Sequence, residues 1–214
     1  MTADAQRPPR EPGLLYTLAK RVLDVGVSVS ALAALSPLLA AAGLAVKLYD
    51  GGPALFKQRR IGKDFEPFEV WKFRTMTPDA EAKGAAITKA GDSRITPLGR
   101  FLRRTKLDEL PQLVNVLTGE MSLVGPRPEV ERYVRRFEDD YRRILSVRPG
   151  LTDYAALDFI DEERLLAETT DVDKVYVENI LPRKIELYYR YLDERSLATD
   201  LRLIARTLAR LVGR

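Results

Sequence analysis

Val22-Leu-Asp24-Val-Gly26-Val-Ser28-Val-Ser30-Ala-Leu-Ala-Ala-Leu-Ser36-Pro37-Leu-Leu-Ala-Ala-Ala-Gly43-Leu-Ala-Val46 is the longest apolar run in the chain. As one helix it would measure about 37 Å, enough to cross a hydrocarbon core of about 30 Å. Pro37 interrupts it near the middle, because proline has no N–H to offer the carbonyl of Ala33 and crowds the preceding turn. The Ser36 hydroxyl competes for the backbone acceptors so freed. Each half then measures roughly 18–21 Å, too short to span alone.

The flanks favour entry and exit on one face. Arg7, Arg10, Lys20 and Arg21 precede the run, and Lys47, Lys57, Arg59 and Arg60 follow it. A single span is expected to carry its excess of cations at one end. Asp24 lies at the entry, where Lys20 or Arg21 is expected to pair with it at headgroup level. A helix broken at Ser36-Pro37 that re-enters the same face satisfies both flanks. A kinked transmembrane helix and a buried core helix are the alternatives. No small-residue cleavage site follows the run, and it starts far from Met1, so it does not read as a signal peptide.

Outward from this segment the chain divides into four parts. Residues 1–13 are rich in proline and charge and read as a disordered tail. Residues 14–50 hold the helix-break-helix, residues 51–195 a globular unit, and residues 196–214 a C-terminal amphipathic helix. The globular unit opens with a turn at Gly51-Gly52-Pro53. Two extended runs, 54–61 and 65–73, joined at Gly62-Lys63-Asp64, predict a β-hairpin. Residues 79–91 are small and polar and read as a mobile loop.

Short helices are expected at 97–105 and 110–117, the second capped by Asp108 and ended by Gly119. A charged helix is expected over 129–146, stopped by Arg148-Pro149-Gly150. Further helices are predicted at 161–168 and 173–191, the latter perturbed at Pro182. The last helix, 196–212, places Leu197, Leu201, Ile204, Leu208 and Leu211 on one face and Arg202, Arg206 and Arg210 on the other. Such a helix lies on an anionic membrane or packs on the domain core. The fold class is α+β, predominantly helical.

Composition narrows the chemistry. The 214 residues include no histidine and no cysteine. That excludes Ser-His and Cys-His nucleophilic systems, disulfides, and zinc sites built on either ligand. Carboxylates remain as ligands, and they favour hard cations such as Mg²⁺. The net charge is only +4, but cations cluster at 57–60, 94–106, 132–148 and 202–214. Such patches attract phosphates, whether of lipid, nucleotide or nucleic acid. No nucleic-acid-binding module is recognisable.

Within the second cluster lies Arg100-Phe-Leu-Arg103-Arg-Thr-Lys-Leu-Asp108-Glu109-Leu-Pro-Gln112. Two carboxylates sit among cations at the expected start of a helix. Acidic residues there commonly serve only as caps and dipole partners. A carboxylate can also attack phosphorus to give an acyl phosphate, and its reference pKa near 3.9 means that it needs no base. Asp108 and Glu109 are therefore candidate catalytic residues and candidate Mg²⁺ ligands.

Several ordered blocks resemble the monotopic phosphoglycosyl transferases, a family of bacterial sugar transferases. They are Lys20-Arg21-Val-Leu-Asp24 with Ser36-Pro37; Gly52-Pro53-Ala-Leu-Phe56-Lys-Gln58-Arg-Arg60-Ile-Gly62; and Trp71-Lys72-Phe-Arg74-Thr-Met76. Then come Arg94-Ile-Thr96-Pro-Leu-Gly99-Arg-Phe-Leu-Arg103, Leu107-Asp-Glu-Leu-Pro-Gln112, Met121-Ser-Leu-Val-Gly125-Pro-Arg127-Pro128 and Arg148-Pro-Gly150-Leu-Thr152. The resemblance implies a re-entrant helix broken at Ser36-Pro37 and a Mg²⁺-dependent ping-pong reaction. Asp108 would attack the β-phosphorus of a UDP-sugar, expel UMP and hold sugar-1-phosphate until polyprenyl phosphate takes it. Glu109 would position the metal or assist the second step. Arg103 and Arg127 match positions associated with phosphate or substrate binding, with Lys72 and Arg74 as weaker candidates.

The partners implied are a UDP-sugar, polyprenyl phosphate and bacterial membrane lipid. Nucleic acid is not among them, and self-association is left open. The location implied is the cytoplasmic face of the bacterial inner membrane. The pattern departs from the family at Asp153-Tyr154-Ala155-Ala156-Leu157, where many members carry Gly-x-Ala-Gln-Val; this puts the sugar identity in question. The chain is expected to be a minimal catalytic unit. The competing function is a non-catalytic membrane-surface adaptor that binds anionic lipid.

Overall fold

The computed structural model describes residues 13–80, 87–167, 169 and 171–213. The expected N-terminal tail, apart from Gly13, and the middle of the expected mobile loop lie outside them. The chain is predominantly helical with two small sheets, as the α+β expectation holds.

Helix α1, Leu14–Asp50, is one uninterrupted element with Pro37 inside it. Helical conformation continues through Ser36-Pro37, where the break was expected: the Ser36 hydroxyl donates to the Ala33 carbonyl at 2.9 Å. That carbonyl is the acceptor proline leaves without an N–H, so its satisfaction lets the helix continue. Among the described residues α1 is the one helix long and apolar enough to cross a membrane. Its apolar side chains are mostly outward: Leu14, Leu15, Val22, Leu44 and Leu48 are all exposed.

Both ends of α1 dock on the same globular unit. Near its start, Arg21 donates to the carbonyls of Val116 and Leu117, at 2.6 and 2.7 Å. Lys20 donates to the Val124 carbonyl and pairs with Asp200. The pairing expected between Asp24 and these cations does not occur. Asp24 is buried and accepts from the Leu123 N–H at 3.0 Å, because a backbone donor under α1 needs a partner once water is excluded. Near the end of α1, Val46 enters a small core with Phe73 and Leu102, and Asp50 grips Arg74.

Strands β1, Leu55–Ile61, and β2, Pro67–Phe73, form the expected antiparallel hairpin. Leu55 faces Phe73 and Ile61 faces Pro67. Period-2 alternation puts Phe68, Val70 and Lys72 on one face of β2. Phe68 and Val70 enter the main core, while Phe73 enters the small one. The free edge of β2 is covered by a side chain: Asn115 accepts from the Trp71 N–H and donates to the Glu69 carbonyl. This satisfies an edge that would otherwise invite pairing.

Helix α2 is Pro97–Thr105 and helix α3 is Gln112–Thr118. Thr96 caps α2 by accepting from the Gly99 N–H, with Pro97 in the first turn, a favourable pair of start signals. Gly119, with φ of 88°, ends α3 as expected. A second sheet was not anticipated. Strand β3, Ser122–Val124, pairs in parallel with β4, Gly150–Thr152. The two backbones meet so closely that a Cβ on Gly150 would lie 2.1 Å from the Gly125 nitrogen.

The charged helix expected over 129–146 is two helices, α4 (Glu131–Arg136) and α5 (Glu138–Ile144), with Phe137 out of helical conformation between them. Short helices α6 (Tyr154–Asp158), α7 (Glu162–Leu165) and α8 (Val172–Val175) follow. A π-turn, Tyr176–Ile180, leads into α9, Leu181–Glu194. It sits just before Pro182, where an N–H is missing. Helix α9 is the centre of the main core, burying Leu181, Tyr188, Tyr191 and Leu192 almost completely. Burial of Leu181 and Leu192 contributes about 1.5–3 kcal/mol each.

Helix α10, Leu197–Val212, starts on a Ser196 cap. It seats Asp200 and Leu203 against the domain, with Thr207 on Thr152. The apolar face is therefore not buried as one stripe, and Leu201, Leu208 and Val212 stay exposed.

Candidate active site

Lys106 builds the site. It ends α2 with φ of 58°, a left-handed conformation that usually calls for glycine. The chain reverses there and enters a 3-10 turn, Leu107–Glu109. Asp108 consequently does not cap α3; Pro111 precedes that helix and no side chain caps it. The pair sits at a corner between two helices, and its electrostatics come from side chains more than from a helix dipole.

Glu109 is clamped. Arg127, on the turn after β3, grips both its oxygens at 3.1 and 2.5 Å. Lys72, carried inward on the buried face of β2, lies 3.7 Å from the same carboxylate. Burial pushes Glu109 upward, but Arg127, Lys72 and Lys106 outweigh it and hold its carboxyl well below the usual range. Burial lowers the Lys72 ammonium to about 8, with Glu109 opposing.

Asp108 is not clamped. It is 7% exposed, and its Oδ1 is buried with no hydrogen-bond partner. Burial, reinforced by the charge of Glu109, raises its pKa to about 6 despite Lys72, Lys106 and Arg103 nearby. It remains mostly ionised at neutral pH, as an unpaired and unusually basic carboxylate. Its ordinary reference value, assumed from sequence, does not apply here.

Arg103 reaches the rim of the site from α2. Its Nε donates to Thr75 Oγ1 at 2.8 Å and its Nη1 pairs with Glu163 at 2.6 Å. Helix α2 is held in place by an approach so close that a Cβ on Gly99 would lie 1.9 Å from the Thr75 carbonyl oxygen. Arg74 borders the same cavity, but its guanidinium is engaged by Asp50 and by the Pro53 and Met76 carbonyls. The structure places it as the tie between α1 and the hairpin. Ser36 and Pro37 lie within α1, apart from this cluster.

The site opens into a cavity of about 1620 Å³. Asp108, Glu109, Lys72, Arg103 and Arg127 line one part of it, and Val27, Ala31, Leu35, Leu208 and Leu211 another. That volume exceeds an ordinary small-molecule pocket of roughly 300–1,000 Å³. One cavity thus joins a charged carboxylate site to an apolar wall built from α1 and α10.

The model of the bacterial sugar transferase family matches residues 15–214. The chain belongs to the bacterial sugar transferase family. It is 38% identical over 204 residues to a UDP-glucose:undecaprenyl-phosphate glucose-1-phosphate transferase of Caulobacter vibrioides, covering 94% of this chain and 72% of that one. It is 35% identical over 202 residues to a UDP-N-acetylgalactosamine-undecaprenyl-phosphate N-acetylgalactosaminephosphotransferase of Aeromonas hydrophila, covering 92% and 44%. A relative in Escherichia coli, named for UDP-glucose:undecaprenyl-phosphate glucose-1-phosphate transfer, is 37% identical over 89% of this chain and 39% of its own. The chain thus spans less than half the length of some curated relatives it matches.

Lys106 and Glu163 escaped the sequence reading of this family member. Lys106 lies two residues before Asp108, yet nothing in the sequence marks it as a left-handed turn residue. Glu163 lies sixty residues beyond Arg103, a pairing no local pattern signals.

Proposed function

We propose that this protein transfers sugar-1-phosphate from a UDP-sugar to polyprenyl phosphate, with Asp108 as the nucleophile. The observation that carries this is the division of the pair: Glu109 neutralised by Arg127, Asp108 buried without a partner in a cation-lined cavity. An Asp108 oxygen attacks the β-phosphorus, the bond from that phosphorus to the bridging oxygen breaks, and UMP departs with the electron pair. The aspartyl-phosphosugar so formed is an acyl phosphate. An oxygen of polyprenyl phosphate then attacks the same phosphorus, the acyl bond breaks, and Asp108 is regenerated as carboxylate. Neither step demands removal of a proton from a hydroxyl.

Arg127 and Lys72 lie where phosphate charge would accumulate, and preorganised cations there stabilise a phosphoryl transition state. Arg103 is held at the rim by Glu163, from which a phosphate can draw it. The residues fit Mg²⁺ through Asp108, whose buried Oδ1 has no hydrogen-bond partner, whereas both oxygens of Glu109 are held by Arg127. No cluster of three or more acidic ligands exists among the described residues. Mg²⁺ typically uses one or two carboxylates plus substrate phosphates. When bound, the ion would shield the charge of the diphosphate and its leaving group.

The proposed topology is monotopic and re-entrant, on the cytoplasmic face of the bacterial inner membrane, where nucleotide sugars are available. Its support is the docking of both ends of α1 on one globular unit, through Arg21 and Lys20 at one end and Asp50 at the other. The apolar cavity wall from α1 and α10 would receive the polyprenyl chain. Detergent-solubilised protein, supplied with polyprenyl phosphate, Mg²⁺ and a panel of radiolabelled UDP-sugars, should label the lipid with one of them. An Asp108→Asn protein should label none. Equal labelling by that variant would remove Asp108 from the reaction, and absence of labelling by the unaltered protein with every donor would leave the adaptor reading standing.

A further inference from the structure

The cavity has a second polar wall that the transfer chemistry does not use. Glu162 pairs with the Lys184 ammonium, which lies 3.3 Å from the Tyr176 hydroxyl; that hydroxyl donates to Glu129, and Arg60 reaches Glu129 at 3.3 Å. All five residues border the cavity, and Tyr188 borders it beside them.

Tyr188 is the unexplained member. Its side chain is fully buried, yet its hydroxyl has no hydrogen-bond partner among the described residues. A buried hydroxyl without a partner is destabilising, and most buried polar groups in folded proteins avoid that state. Burial, with Asp153 and Tyr141 close by, holds the phenol well above its ordinary pKa. It is therefore a neutral hydroxyl, able both to donate and to accept. Arg127 lies within electrostatic reach of Tyr188 and Glu162 while gripping Glu109. One arginine thus joins this wall to the reacting carboxylates.

We propose that Tyr188, with Lys184, Tyr176, Glu129 and Glu162, forms the subsite for the sugar ring of the donor, and that the Tyr188 hydroxyl binds a sugar hydroxyl. The donor set carries the choice. Carboxylates, an ammonium and phenols alternate as acceptors and donors, which matches a ring bearing several hydroxyls at fixed spacing. The location agrees, since the sugar hangs from the phosphorus that Asp108 attacks and Arg127 links the carboxylate pair to this wall. This inference rests on the transferase reading above.

Tyr188→Phe removes one buried oxygen that has no protein partner, so the fold should lose no stability and should gain some. Wild-type and Tyr188→Phe proteins would be assayed for UMP release from UDP-glucose, UDP-galactose, UDP-N-acetylglucosamine and UDP-N-acetylgalactosamine. Tm in detergent and inhibition by UMP would be measured alongside. The expected result is a Tm equal to or above that of wild type, an unchanged inhibition constant for UMP, a KM for the preferred donor raised about 3- to 10-fold, and weaker discrimination between the epimeric donors. UMP lacks the sugar, so equal weakening of UMP would assign the wall to the nucleoside and overturn the proposal. A Tm lowered by several degrees would show that the hydroxyl serves the fold, and overturn it too. An unchanged KM in an active enzyme overturns the subsite alone. Silence of the wild type across the panel sinks the transferase reading together with the subsite.

Discussion

Arg127 holds both oxygens of Glu109, at 3.1 and 2.5 Å, and no comparable fork reaches Asp108. Two adjacent carboxylates are thereby given different work. One is a fixed counter-charge, and the other is a buried anion facing a cavity.

Removing the fork should expose this division. Arg127→Ala leaves Glu109 charged and partly buried without its main partner, which should cost about 1–3 kcal/mol of stability. Loss of phosphate-facing charge should lower kcat/KM at least about 100-fold. Arg127→Lys restores charge without the bidentate geometry, so its activity should fall between the two. Thermal melts and UMP-release kinetics on the three proteins check the order.

Asp153 gives a pH-dependent prediction. It is fully buried and accepts from the Ala156 N–H to start α6. Burial raises its pKa to about 7, against about 3.9 for an unfolded aspartate. The fold prefers the neutral carboxyl, so the associated stability is fully present below about pH 4 and is lost as pH rises to about 7. Asp153→Asn keeps the capping oxygen and removes the charge. Its Tm relative to wild type should therefore rise from pH 4 to pH 8, by on the order of 10 °C. A pH-independent difference would contradict this.

The parallel pairing of β3 and β4 depends on two bare backbones. Gly150→Ala would drive a Cβ to 2.1 Å from the Gly125 nitrogen. The strands must separate, disturbing the turn that carries Arg127. A loss of about 3 kcal/mol is expected, measured by chemical denaturation, together with loss of activity.

The docking of both ends of α1 on one unit predicts their sidedness. The chain has no native cysteine, so single cysteines at Gly13 and Gly51 report cleanly. In intact cells both should resist a membrane-impermeant thiol reagent and react after lysis. External labelling of Gly13→Cys alone would indicate a span.

Much of this architecture was legible in the sequence, in patterns that are local. Periodicity located the hairpin, α2 and α10, and Gly119 marked the end of α3. Pro37 was recognised, but the ability of Ser36 to satisfy the Ala33 carbonyl and keep the helix whole depended on a rotamer. Strands β3 and β4 are three residues each, too short for alternation to register. At the site, Asp108, Glu109, Lys72 and Arg127 come together. Arg74 does not join their cluster, because Asp50, distant in sequence, claims its guanidinium. Tyr188 and Lys184 lay unnoticed in a helix whose pattern reads as ordinary core. Only their placement against a cavity distinguishes them.

The most direct test of a nucleophilic Asp108 omits the lipid. Purified protein mixed with Mg²⁺ and its UDP-sugar, without polyprenyl phosphate, should release at most one UMP per chain. It should also gain the mass of one sugar phosphate on the peptide containing Asp108, and Asp108→Asn should do neither. UMP release that strictly requires polyprenyl phosphate, with no mass gain on the protein, would contradict a covalent intermediate and point to direct transfer between the two substrates.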